Sequence, residues 1–79
     1  MRVTVKLFAT LARFSSSDQS GSPFEMILPE SAVVQDLLDQ LGIPSEEIKI
    51  SFVNGLIRDP SWILKQGDDV GIFPPIGGG

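Results

Sequence analysis

One helical pattern sits alone among segments of a different period. Val34, Leu37, Leu38 and Leu41 fall at i, i+3, i+4 and i+7, with Gln35, Asp36, Asp39 and Gln40 opposite, so this stretch carries a single apolar stripe on a 3.6-residue period. Such a stripe has to be covered by another layer. The flanking segments alternate instead, and the simplest cover is a sheet. The spacing predicts a helix over 32–41, with Ser31 as its N-terminal cap and Gly42 followed by Pro44 as its stop.

On the N-terminal side, Val3, Val5 and Leu7 alternate with Arg2, Thr4 and Lys6, and Phe8 extends the apolar edge. This predicts a strand over 2–8 with one buried face. Ala9 to Phe14 carries Leu11, Ala12 and Phe14 at loosely helical spacing and predicts a short helix or turn. Ser15 to Pro23 holds five serines, a glycine and no large apolar side chain, so it is expected to be an exposed loop. Phe24 to Leu28 reads as a second strand, paired with the first and stopped by Pro29.

After the helix, Ile48, Ile50 and Phe52 alternate with Lys49 and Ser51 as the apolar phase of a third strand, which ends in Asn54-Gly55. That dipeptide is a strong hairpin signal because both residues tolerate positive φ. The chain returns through Leu56-Ile57-Arg58. A turn at Asp59-Pro60-Ser61-Trp62 is expected to tuck Trp62, Ile63 and Leu64 inward, another turn follows at 65–69, and the last strand runs from Val70 to Phe73. The order ββαβββ with one long helix is that of an α+β, β-grasp fold, a mixed sheet of four to five strands on one main helix. A helical crossover permits the first and last strands to run parallel at the centre, which hairpins alone would not. Residues 1–79 read as one domain, with 74–79 a flexible tail.

Composition removes whole classes of function. With no cysteine and no histidine, the chain lacks thiolate nucleophiles, imidazole acid–base groups, disulfides and the common zinc or iron–sulfur ligand sets. No metal site and no bound cofactor are expected. At this size the core leaves little room for a deep enclosed active site, and no catalytic residues of its own are assigned. Net charge is −4, with Arg2, Lys6, Arg13, Lys49, Arg58 and Lys65 scattered singly. No basic stripe exists to neutralise phosphates, which argues against nucleic acid as a partner. No run reaches the length of a membrane span and no secretion signal is evident, so a cytoplasmic protein away from membranes is expected.

Phe73-Pro74-Pro75-Ile76-Gly77-Gly78-Gly79 carries the chemistry. Two prolines make a stiff spacer, and three glycines make a thread without side chains that can enter a narrow channel. The end of that thread is the Gly79 carboxylate, ionised at neutral pH and a poor electrophile until another protein activates it. Conversion to an acyl-adenylate by an ATP-dependent enzyme, followed by displacement of AMP by sulfur, would give a thiocarboxylate without any cysteine.

These residues, with Asn54, Asp68-Asp69-Val70 and the N-terminal run Leu7-Phe8-Ala9-Thr10-Leu11-Ala12-Arg13-Phe14, resemble the small subunit of molybdopterin synthase. The wider group is that of ubiquitin-like sulfur carriers, which includes the thiamine sulfur carrier. The resemblance implies that Gly79 is adenylated by an adenylyltransferase like the ubiquitin-activating enzymes, which uses ATP, and is then thiocarboxylated. A sulfurtransferase or cysteine desulfurase would be the sulfur source. The tail residues Pro74, Pro75, Ile76, Gly77 and Gly78 would then enter the large subunit. There sulfur would pass to cyclic pyranopterin monophosphate in molybdenum cofactor biosynthesis. The resemblance also implies partner contacts at Phe73 and Ile57. The chain departs from the family pattern at Gly77, where alanine is more usual, which leaves the acceptor open: thiamine thiazole, tRNA thiolation or protein modification are the alternatives. Phe73 itself, in the phase opposite Ile72, is expected to be an exposed contact.

Other conspicuous residues take plainer readings. The pairs Asp68-Asp69 and Glu46-Glu47 sit in expected turns without further ligands and read as solvated. Trp62, with no basic cluster around it, is assigned to the core.

Overall fold

The computed structural model describes residues 1–15 and 19–75. Five strands, β1 (Arg2–Leu7), β2 (Phe24–Ile27), β3 (Ile50–Val53), β4 (Leu56–Ile57) and β5 (Asp69–Phe73), form one sheet in the order β2-β1-β5-β3-β4. The helix α1 (Val34–Leu41) is joined by two short 3-10 helices, Ala9–Phe14 and Ser45–Glu47. The β1–β5 pair is parallel and central, and the other three pairs are antiparallel. This is the β-grasp arrangement that the element order predicts.

Alternation builds the core. Val3, Val5 and Leu7 of β1, Val70 and Ile72 of β5, and Val53 of β3 point to one side, where Val34, Leu37 and Leu38 of α1 meet them along with Leu11, Leu28, Leu64 and Ile43. Apolar area removed from water on this scale is the main stabilising term for a chain without disulfides.

The start of α1 differs from expectation. Ser31 is not the cap: it has φ +68, and the helix begins at Val34, with Val33 at the capping position. The Asp36 carboxylate accepts the Val33 N–H at 2.8 Å. The carbonyls of Trp62 and Pro60 accept the N–H groups of Val34 (3.0 Å) and Gln35 (2.8 Å). A neighbouring loop thus satisfies donors that a capping hydroxyl would otherwise have to meet. The stop is as read: Gly42 adopts φ +76, and Gly42 and Ile43 donate to Asp39 and Leu38 at 3.1 Å.

Three further expectations are corrected. In β3 the buried phase is Ser51 and Val53, whereas Ile50 and Phe52 lie on the other face and are half-buried. Register decides this, because Val53 pairs with Val70 and Ser51 with Ile72, both core residues of β5. Of Trp62, Ile63 and Leu64, only Leu64 is buried; Trp62 is 40% exposed and lies beneath the Arg58 guanidinium at 4.0 Å. A cation over the indole face gives the ring a partner without a place in the core. Asp68 is buried rather than solvated, and accepts hydrogen bonds from Asn54 Nδ2 (2.9 Å) and Lys65 N–H (2.8 Å). Asn54 Oδ1 accepts the Asp69 N–H at 2.9 Å, so these side chains tie the β3–β4 turn to the start of β5. Asp69 and Glu46 are exposed, and Glu47 is half-buried and pairs with Arg13.

Candidate functional site

The strands that seal the core with one phase expose the other phase on the face away from α1. Lys6 aligns with Gly71, Thr4 with Asp69, Phe52 with Gly71 and with Ile57, and Ile50 with Phe73. Aligned residues share a face. Phe8 follows Lys6 in the same phase and lies across β5, where its ring stacks on Phe73 with centroids 4.2 Å apart and planes within 2°. Phe52 meets the Phe73 ring edge-on at 5.4 Å. Three half-buried aromatic rings, from β3, β5 and the residue after β1, therefore form one cluster outside the core.

Gly71 lies beneath the cluster. A Cβ there would stand 3.4 Å from a Phe8 ring carbon and 4.0 Å from one of Phe73, ordinary van der Waals contacts, so Phe8 lies close over a strand position that has no side chain. The result is an open notch of about 300 Å³, with Gly71, Phe8, Phe52 and Phe73 along it and Lys6 and Asp69 at its rim. Lys6 Nζ and Asp69 Oδ2 are 3.6 Å apart. The surface can receive an apolar side chain of a partner and offers both charges beside it, a fitting arrangement for docking. Among the described residues, no group of three or more His, Cys, Asp or Glu could hold a metal, and no helix is long and apolar enough to cross a membrane.

Phe73 is half-buried in the middle of this cluster. Ile57, 64% exposed, lies on the same face at the sheet edge. Pro74 and Pro75 follow directly from Phe73 at the end of the central strand, Pro74 half-buried and Pro75 exposed. Ile76, Gly77, Gly78 and Gly79 lie outside the described residues, as do residues 16–18 of the expected serine loop. Phe8, Phe52 and Gly71 are members of the surface that the sequence reading did not single out. A signal for Phe8 was present, since it falls in the Thr4-Lys6 phase rather than that of Val3, Val5 and Leu7.

Comparison with known proteins agrees with this architecture. The family model described as Mut7-C ubiquitin matches residues 1–77. No curated protein sequence matches the chain. Among solved structures, SAMP1, the small archaeal modifier protein 1 of Haloferax volcanii, is similar over 100% of both chains at 26% identity with a TM-score of 0.75. A putative molybdopterin converting factor subunit 1 from Pyrococcus furiosus is similar over 96% of this chain and 99% of its own, at 28% identity and a TM-score of 0.75. The thiamine biosynthesis protein ThiS of Geobacter metallireducens is similar over 100% of both chains at 25% identity and a TM-score of 0.63.

Proposed function

Because the chain belongs to the Mut7-C ubiquitin family, with ubiquitin-like relatives of the kinds just described, we propose that it is a ubiquitin-like sulfur carrier. Its working group in this reading is the carboxylate of Gly79. One observation carries the proposal: β5 both presents Phe73 in the open aromatic cluster and runs straight on into Pro74-Pro75. A partner that grips the cluster therefore also sets where the glycines begin, and the two prolines keep that course stiff.

The chemistry belongs to partners. The Gly79 carboxylate oxygen attacks the α-phosphorus of ATP within an adenylyltransferase and expels pyrophosphate. The terminal sulfur of a persulfide on a sulfurtransferase or cysteine desulfurase then attacks the acyl carbon and AMP leaves; a thiol reductant cleaves the resulting acyl disulfide and becomes a disulfide itself, so that one carboxylate oxygen is replaced by sulfur. The finer reading is donation of that sulfur to cyclic pyranopterin monophosphate in a molybdopterin synthase large subunit. The likeness to a molybdopterin converting factor subunit 1 supports it. A second reading, conjugation to protein lysines, is supported by the likeness to a protein named as a modifier, and sulfur supply to thiamine thiazole by the likeness to ThiS.

ATP–pyrophosphate exchange with the cognate adenylyltransferase tests the first step. Exchange is expected with the full chain and lost on removal of Gly79; exchange that persists without Gly79 would overturn the assignment. Co-purification with a molybdopterin synthase large subunit, abolished by Phe73→Ala, separates the finer reading from the others.

A further inference from the structure

A second recess lies on the other side of the sheet edge, between α1 and the β3–β4 hairpin. It holds about 330 Å³ and is bordered by Leu38, Ile48, Ile50, Ile57 and Pro60, with Gln35, Ser45 and Ser51 supplying polar atoms and Lys49, Arg58 and Asp59 at its rim. Ser51 is only 3% exposed. Among the described residues its hydroxyl has no hydrogen-bond partner, yet it is not one of the sealed, unsatisfied atoms of the interior. It therefore stays in reach of solvent where it lines this cleft, a donor and acceptor without a partner among the described residues.

The cations there also lack carboxylate partners. Among the described residues, Arg2, Lys6 and Arg13 each pair with a carboxylate, whereas Lys49 and Arg58 do not. The nearby acids bond to neutral groups instead: Asp59 accepts from Ser61 through Oδ1, Asp39 from Gln35 and Asp36 from Val33. In a protein of net charge −4, two cations without a carboxylate partner, Lys49 and the Arg58 that covers Trp62, flank one apolar cleft and outnumber the single acid, Asp59, that lines it. The edge beside it is open as well. Arg58 N–H donates to Ser51 and Val53 faces Leu56 across the turn, which by alternation turns the backbone N–H and C=O of Ile57 away from β3.

We infer that this cleft is a docking site for an extended acidic segment of a partner protein. One aliphatic side chain of the segment enters over Leu38 and Ser51, its carboxylates meet Lys49 and Arg58, and its backbone bonds to the Ile57 edge. The site reaches the edge residues Ile50 and Ile57 of the aromatic face but none of Phe8, Phe52 and Phe73, and does not depend on the chemistry at Gly79. A partner can thus hold the carrier while the open face and tail remain free.

NMR titration of the full chain with a capped Glu-Val-Glu-Val-Glu peptide, and with its Lys-Val-Lys-Val-Lys counterpart, tests the inference. Saturable shifts at the Leu38, Ser51, Ile57 and Arg58 amides are expected with the acidic peptide alone. Lys49→Glu with Arg58→Glu should weaken binding at least about tenfold, as should added salt. Ser45→Trp, at an exposed rim position, should block the cleft without touching the charges. Equal binding of the lysine peptide, shifts confined to Phe8, Phe52 and Phe73, or no saturable shift with either peptide would overturn it. Failure here leaves the carrier reading standing, and failed adenylation leaves this inference standing.

Discussion

On the helix side of the sheet, Val3, Val5, Leu7, Val53, Val70 and Ile72 are sealed beneath α1, while on the far side Phe8, Phe52 and Phe73 are left half-exposed by the same three strands and the residue after β1. The first set is aliphatic, interlocked and dry. The second is aromatic, with a glycine beneath it and an ion pair beside it. Strand alternation thus separates two tasks within single segments: one phase holds the fold and the other is available to partners. The two faces should respond differently to substitution.

The largest expected effect is on the sealed side. Leu37 is fully buried, and Leu37→Ala should cost about 2–5 kcal/mol in urea unfolding. Partner affinity per folded molecule should stay unchanged, and a specific loss of binding would break the division. Asp68→Ala is expected to cost about 1–3 kcal/mol, because it strands the Asn54 amide and the Lys65 N–H; the midpoint of denaturation reads it. On the open side, Phe73→Ala should reverse the balance, with a stability loss of about 1–2 kcal/mol and loss of partner capture in co-purification. Ala9→Gly should stabilise by about 0.5–1 kcal/mol, since Ala9 sits at φ +53, and thermal unfolding checks the sign. The smallest effect is Gly71→Ala: stability should change by no more than about 0.5 kcal/mol, while the Phe8 and Phe73 ring-current shifts move.

Periodicity made the architecture readable, and its failures follow from where periodicity stops being informative. The stripe Val34, Leu37, Leu38 and Leu41 and the alternation at Val3, Val5 and Leu7 located α1 and β1 because each has a single buried face. In β3 both phases contain apolar residues, so the alternation of Ile50 and Phe52 marks a strand without fixing its inner face, and only pairing of Ser51 and Val53 with β5 reveals that face. Trp62 shows that size alone does not place an aromatic residue, since Arg58 can cover it at the surface. The buried Asp68 and the capping carbonyls of Pro60 and Trp62 depend on contacts between distant segments, which local sequence does not display. At the candidate site the face of Phe73 was legible from its phase opposite Ile72, but the residue is half-buried against Phe8 rather than exposed as expected; the cluster was not legible, because Phe8 and Gly71 acquire meaning only once β1 and β5 lie side by side.

The central claim is that the chain carries sulfur on its last glycine. Intact-mass analysis after incubation with the adenylyltransferase, ATP and a sulfur donor addresses it directly: the account predicts a gain of about 16 Da, oxygen replaced by sulfur, confined to a C-terminal peptide containing Gly79. An unchanged mass under conditions that support adenylation, or a gain located elsewhere in the chain, would contradict it.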